Sequence, residues 1–273
     1  MTRRRSAWAA AYHYPKGASM RNIKVIVSDL DRTLLRTDKS VSAYTLDVLR
    51  RTREKGLKFV AATARAEMGF RILDLSCDAA IVFNGALLLL DSREPERFTI
   101  DAATADGIIR TILKLDPNAE IVVETVDISR ANFDPRRFWP NMIYEPHDFA
   151  APLPAPVYKI LLPLDRFSKV EELEPLLPQG THSVICEDTF AMILSESASK
   201  LNAFKRLCEL WDVPLEQTVM FGDDLNDVEL MRAAGVSVAV ANAGDEAKAA
   251  ATERCASNDD DGVARWIEEN LLS

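Results

Sequence analysis

Two aspartates, Asp29 and Asp31, follow the apolar run Val25-Ile26-Val27-Ser28, and a hydroxyl residue, Thr33, stands two positions further on. Carboxylates this close are costly to desolvate together unless a cation or a shared proton compensates them. Taken alone, such a pair also serves as a polar strand end that caps the next turn. Thr63 and Arg65 close a second apolar run, Lys200 opens a helical pattern, and Asp223, Asp224, Asn226 and Asp227 follow Val219-Met220-Phe221-Gly222. A crevice gathering three or four of these acids around one lysine calls for a divalent cation. Hard oxygen donors favour Mg2+ over zinc, and the three histidines, His13, His147 and His182, are scattered away from these residues.

The flanking patterns supply the means of gathering them. Val25 to Ser28 is rich in β-branched residues and reads as a buried parallel strand. Ser42 as N-cap and Gly56 beyond the last turn delimit a helix over Ser42 to Lys55. A second strand over Leu57 to Thr63, a helix from Glu67 to Leu75 and a third strand over Ala80 to Phe83 follow, the last running into Asn84-Gly85. This alternation predicts a parallel sheet with right-handed crossovers. Its strand carboxyl ends share one edge, where open α/β folds bind ligands. The same pattern resumes at Lys200 with a helix carrying Leu201, Phe204, Leu207, Cys208 and Trp211. Strands over Thr218 to Gly222 and Val236 to Val240, and a final helix over Trp266 to Leu272, complete it. Residues distant in the chain thus converge on one edge.

Between these halves the pattern changes. Short strands over 87–90 and 97–100, a helix from Asp101 to Leu115, and a strand at 121–124 precede a loop-like stretch, 125–156. That stretch holds six prolines and the aromatics Phe133, Phe138, Trp139, Tyr144 and Phe149. A strand at 158–162, a helix at 167–177 and paired strands at 183–186 and 191–194 follow. The expected organisation is an α+β domain over residues 86–194, inserted into a core of residues 20–85 and 195–273. Residues 1–19 are expected to form an N-terminal extension.

A net charge of −9 over 273 residues argues against a general nucleic-acid or anionic-membrane binder. A local cationic pocket still suffices for a phosphorylated ligand. The four cysteines form no Cys-x-x-Cys pair, which points to reduced thiols and a cytoplasmic protein. No apolar run approaches the roughly 20 residues of a membrane-spanning helix. A monomer or homodimer is expected.

The ordered set Asp-x-Asp-x-Thr from Asp29, Thr-x-Arg from Thr63, Lys200 and Gly-Asp-Asp-x-Asn-Asp from Gly222 resembles the haloacid dehalogenase (HAD) superfamily of phosphotransferases. The position of the insert, opened by Asn84-Gly85, is similar to a type C2 cap of the Cof-type, or IIB, branch. So are the segments Val238 to Ala243 and Ser257 to Ala264. The resemblance runs from Met20 to the end of the chain and implies a Rossmann-like α/β core with an α+β cap. It implies an Mg2+-dependent phosphatase acting on a small phosphorylated metabolite, a sugar phosphate being favoured. Asp29 is then the nucleophile that forms an aspartyl-phosphate, and Asp31 the general acid and base. Mg2+ is implied to bridge the Asp29 carboxylate, the Asp31 main-chain carbonyl, Asp223 and a phosphate oxygen, with Asp227 completing the metal shell or orienting Lys200. Thr63 and Lys200 are implied to bind the phosphoryl oxygens. Arg65, Asn84, Gly85, Asn226 and Asn242 are carried over as substrate-binding positions. A phosphomutase or other phosphotransferase on the same fold, and a catalytically idle binding module, are the competing readings.

Duller roles stand beside these. Thr33 and Asp224 equally brace their turns, Arg65 equally makes a surface ion pair, and Asn84-Gly85 and Asn242 equally shape loops. Two departures from the family pattern stand out. Ala64 occupies a position that is usually Gly, with a cost of order 1 kcal/mol if φ there is positive. Leu201-Asn202-Ala203 lacks a usual Gly, which leaves the local helix start open. In the insert, Glu124, Thr125, Lys159 and Glu187 are candidate contacts to the leaving group, and the aromatic stretch 133–149 can stack on a ring.

Overall fold

The computed structural model describes residues 22–91, 93–186 and 189–273; the expected extension over 1–19 and the candidate contact Glu187 lie outside them. Strand β1 (Val25–Ser28) is buried along its whole length. It lies at the centre of an eight-stranded sheet ordered β14-β13-β12-β1-β2-β3-β4-β5. Its parallel partners are β12 (Thr218–Gly222) and β2 (Lys58–Ala62). β3 (Ala79–Val82), β13 (Val236–Ala239) and β14 (Glu253–Arg254) extend the parallel order outwards. Strands buried on both faces need continuous apolar sequence, and Val25-Ile26-Val27 and Val219-Met220-Phe221, all fully buried, provide it.

Helices complete this layer: α1 (Ala43–Glu54), α2 (Glu67–Arg71), α5 (Lys200–Trp211), α6 (Val228–Ala233), α7 (Asp245–Ala250) and α8 (Gly262–Ile267). Ser42 caps α1 by accepting from the Thr45 N–H at 3.0 Å. The start of α5 is equally well made despite the missing glycine. Ser199 is its N-cap and accepts from the Asn202 N–H at 3.1 Å.

The insert begins later than the sequence suggests. β4 (Leu87–Leu90) and β5 (Glu96–Arg97) fall inside the expected 86–194 segment, yet both belong to the first sheet, running antiparallel to β3 and to each other. The turn at Asn84-Gly85 reverses the chain against β3, so Leu87 and Leu88 fill the core beside it. Helix α3 (Ala102–Leu115), capped by Asp101, and the Ile100–Val157 bridge open the second layer.

That layer is a six-stranded sheet ordered β10-β11-β9-β6-β7-β8. Its strands are β6 (Val122–Thr125), β7 (Ser129–Ala131), β8 (Tyr144–Pro146), β9 (Val157–Pro163), β10 (Thr181–Cys186) and β11 (Phe190–Ser195). β7 and β8 lie within the stretch read as loop; Ser-Arg-Ala and Tyr-Glu-Pro carry little strand signal, and pairing at the sheet edge holds them. The expected helix at 167–177 reduces to α4 (Val170–Leu173) and a tight turn containing Pro175, because proline removes a helical donor. Ile108, Ile112 and Phe167 cover one face of this sheet through Val123, Ile160 and Ile193. The other face, with Val122, Leu161 and Met192, packs into the core cluster of the first layer. The insert therefore packs one face of its sheet onto the first layer. Among the described residues, no helix is long and apolar enough to cross a membrane.

Candidate active site

β1 hands the chain to Asp29, whose N–H donates to the Phe221 carbonyl at 2.9 Å, so the carboxylate sits between the ends of β1 and β12. Lys200, at the first turn of α5 and 1% exposed, donates to Asp29 Oδ1 at 2.6 Å and to Asp227 Oδ1 at 2.7 Å. Two glycines permit this convergence. A Cβ on Gly85 would lie 2.2 Å from the Ser199 carbonyl, so only glycine lets the turn after β3 pack on the start of α5. A Cβ on Gly222 would lie 2.7 Å from the Asp227 Cβ. Its absence lets Asp227 fold back and accept from the Asp223 and Asp224 N–H groups at 3.1 and 3.3 Å. Gly85 thus positions Lys200 by close packing. Asp224 pairs reciprocally with Asp227 across the first turn after β12.

Thr33 Oγ1 donates to Asp223 Oδ1 at 2.7 Å and so orients that carboxylate. Oxygens of Asp29, Asp223 and Asp227, all buried, lie within 4.8 Å of one another. One lysine offsets one of the three charges. Burial pushes the Asp223 carboxyl up to about 7, with Asp227 adding to the effect, against the Thr33 hydrogen bond and the charges of Lys200 and Arg32. Burial likewise raises Asp29, Asp227 and Asp223 adding to it against Lys200. For Lys200, burial opposes the charge, but Asp227 and Asp29 outweigh it and hold the ammonium protonated. Three hard oxygen donors with excess negative charge fit a small divalent cation.

The Asp31 carboxylate lines the same cavity but lies outside that trio. Arg65 grips it through Nε at 2.7 Å and Nη2 at 2.8 Å, and Lys39 Nζ lies at 2.8 Å. Burial raises its pKa, but the hydrogen bonds and charges of Arg65 and Lys39 prevail and hold it at about 2. Lys39 escaped the sequence reading. It has φ +68, in a turn that brings its side chain to Asp31 eight residues earlier.

A cavity of about 30 Å³ opens between Asp29, Asp31, Thr63, Ala64, Asp223, Asp224 and Asn226, roofed by Cys186 from the end of β10. Ala64 has no positive φ, so its replacement of glycine carries no backbone strain. Asn226 Nδ2 donates to Asn84 Oδ1 at 2.9 Å, joining two of the carried-over positions. Asn242 stands apart. Its Nδ2 donates to the Arg32 carbonyl at 2.7 Å and its Oδ1 accepts from the Asn258 N–H at 3.0 Å, so both ends serve the protein's own loops. From the cap, Lys159 Nζ donates to the Ala64 carbonyl at 2.6 Å and lies 3.1 Å from Glu124 Oε2. That oxygen is buried without a well-aligned hydrogen bond. Thr125 turns to Arg130, whose Nη1 donates to it at 2.9 Å. Tyr158 stacks on Phe83 with ring centres 4.3 Å apart, joining cap to core beside the Asn84-Gly85 turn.

The profile of the haloacid dehalogenase-like hydrolases matches residues 26–267. A candidate phosphatase of Haemophilus influenzae is 29% identical over 263 residues, covering 91% of this chain and 98% of that one. The 5-amino-6-(5-phospho-D-ribitylamino)uracil phosphatase YitU of Bacillus subtilis is 26% identical over 287 residues, covering 90% of this chain and 96% of that one. Among solved structures, a haloacid dehalogenase-like hydrolase from B. subtilis superposes with a TM-score of 0.81 at 26% identity, covering 92% of this chain and all of the other. Parallel core, inserted cap and family match agree: the chain belongs to the haloacid dehalogenase-like hydrolases, in their Cof-type branch of capped phosphatases.

Proposed function

We propose that this enzyme hydrolyses a small phosphorylated metabolite, with sugar phosphates favoured, through an aspartyl-phosphate on Asp29. The observation that carries the reading is the buried clamp of Lys200 on Asp29 and Asp227, with Asp31 two residues beyond the nucleophile. Lys200 fixes the Asp29 rotamer and neutralises charge where the phosphoryl oxygens arrive. Asp29 attacks phosphorus, the P–O bond to the leaving alcohol breaks, and Asp31 delivers a proton to the departing oxygen. Water then attacks phosphorus, Asp31 takes its proton, and the Asp29 carboxylate departs as phosphate is released. Asp31 enters this cycle only when Arg65 and Lys39 loosen their hold on it. Arg65, close to the cavity, is placed to turn toward an incoming phosphate. Thr63, which accepts from the Arg65 N–H at 3.1 Å, lines the same cavity and offers its hydroxyl to a phosphoryl oxygen.

Asp29, Asp223 and Asp227 are the side chains that would hold Mg2+, with Asp31 contributing through its main chain; the ion supplies charge neutralisation between nucleophile and phosphate. On the cap, Lys159 and Glu124 offer one donor and one acceptor to leaving-group hydroxyls beside Ala64. The substrate in YitU's name, a phosphorylated ribityl chain on a uracil, combines such hydroxyls with a flat ring. Trp139 and Phe190, stacked with centres 4.9 Å apart on the cap, offer a surface of matching character. A turnover panel of sugar phosphates, nucleotides and pyridoxal phosphate, run with Mg2+ and again with EDTA, tests this. Mg2+-dependent phosphate release is the expected result; none from any member would sink the proposal.

A further inference from the structure

The acid Asp31 is carried by a helical turn, Leu30–Leu34, that the rest of the chain helps to hold. Arg32, the next residue, has φ +60, a left-handed backbone that a residue with a Cβ adopts only when its surroundings impose it. Within the turn, the Leu35 N–H donates to the Leu30 carbonyl at 2.8 Å. Side chains of the turn are also tied to Asp223, Arg65 and Lys39, and two of its main-chain carbonyls are held from more than two hundred residues away. Asn242 Nδ2 donates to the Arg32 carbonyl at 2.7 Å, and Asn258 Nδ2 donates to the Leu35 carbonyl at 3.0 Å. The two are coupled, because Asn242 Oδ1 accepts from the Asn258 N–H at 3.0 Å. Asn258 is 3% exposed, so its bonds face no competition from water. A carboxamide suits this task, since one side chain both donates to a carbonyl and accepts from an N–H without adding negative charge to the site.

We propose that Asn242 and Asn258 are positioning residues for proton transfer: together they pin the Arg32 and Leu35 carbonyls, in the middle and at the end of the turn that aims Asp31. Neither lines the catalytic cavity. The inference rests on the reading of Asp31 as general acid. Proton donation depends on placement, and a shift of about 1 Å in a reacting group can cost about a hundredfold. Loosening the Arg32 carbonyl therefore impairs protonation of the leaving oxygen while leaving the Asp29–Lys200 clamp intact.

The test compares two leaving groups by kcat/KM, which reports steps through transfer of the phosphoryl group to Asp29. An alkyl phosphate from the turnover panel needs its leaving oxygen protonated; 4-nitrophenyl phosphate does not. Asn242→Ala is expected to lower kcat/KM by about tenfold or more for the alkyl ester and by less than about twofold for the aryl ester. Asn242→Asp keeps the acceptor for Asn258 but removes the donor to Arg32, and it is expected to show the same split even if the alanine variant folds poorly. Asp31→Ala, run in parallel, is expected to show a larger split. If Asp31→Ala splits the two esters but neither Asn242 variant does, the positioning inference is overturned. If Asp31→Ala itself loses both esters equally, the acid reading beneath it fails.

Discussion

On the sheet side of the cavity, Lys200, Asp29, Asp223 and Asp227 are all buried, and each carboxylate is committed to a named donor: Lys200, Thr33 or main-chain N–H groups. On the cap side, the inward face carries Val122, Leu161, Met192 and Phe190, and its buried charges near the cavity are the Lys159–Glu124 pair. The first surface is crowded with negative charge that Lys200 only partly offsets, whereas the second is largely apolar with a self-neutral ion pair. Crowded charge suits chemistry on a phosphoryl group, whose charge is the same in every substrate. A neutral apolar face suits the variable part of the ligand, where small changes of shape and donor position alter affinity. Replacing groups on the two sides should therefore produce different kinds of damage.

The largest effect is expected on the sheet side. Asp29→Asn should lower turnover by about four orders of magnitude or more, since it removes the nucleophile itself. The fold should survive, because the change also removes one charge from a crowded buried cluster; circular dichroism and thermal unfolding check this. A fully active variant would refute the nucleophile assignment. Lys200→Met comes next. It leaves Asp29 and Asp227 buried without their shared cation, a loss of about 3–5 kcal/mol and a fall in Tm on the order of 10 °C. Turnover should fall with it by about a hundredfold or more. An unchanged Tm would mean that Lys200 does not hold the cluster together.

The same contrast governs what sequence reading reaches. Asp29, Asp31, Thr63, Lys200 and Asp223 announce themselves because chemistry restricts their types, and the alternation of strands and helices sends them to one edge. Lys39 carries no such mark, since its contact with Asp31 depends on a turn with φ +68 that its sequence does not signal. Cys186 is equally silent. β10 is half-buried throughout, without the alternation that would tell its faces apart, and the pairing of Cys186 with Phe190 decides what overhangs the cavity. The four leucines of β4 read plainly as a strand, but nothing in them says that the chain turns back antiparallel on β3 before entering the cap. Local patterns encode element type, whereas register and direction depend on partners elsewhere in the chain.

A cap-side exchange sharpens the comparison. Lys159→Met alone should destabilise the fold by about 3 kcal/mol, because it strands the buried Glu124 carboxylate. Combining it with Glu124→Leu should restore stability to within about 2 kcal/mol of the parent, since an apolar pair of similar volume replaces a buried ion pair at little cost. The double variant should keep kcat on 4-nitrophenyl phosphate within about twofold, while KM for hydroxyl-rich substrates shifts by up to about tenfold. Equal loss of kcat on every substrate would place the pair in the catalytic machinery and dissolve the division between the two sides.

The smallest effect concerns thiols, and it separates them by their place relative to the cavity. Burial pushes Cys208 and Cys255 up to about 12, and burial with the nearby Asp78 pushes Cys77 up to about 11. At pH 8 about one in a thousand of these thiols or fewer is ionised, and only the thiolate reacts with alkylating agents. Their labelling should therefore stay slow up to about pH 10 and accelerate only as pH approaches the raised values. Cys186 instead roofs the cavity from the cap. A carbamidomethyl group there would stand in the wall of the cavity, so modification at this one site should hinder substrate entry. Iodoacetamide at pH 8 is expected to inactivate slowly, with peptide mapping placing the label on Cys186 and competing phosphate slowing it. Cys186→Ser should retain turnover within about threefold and resist the reagent. Inactivation that persists in Cys186→Ser would show that the reagent acts at another thiol, and the cap would lose its claim as a wall of the site.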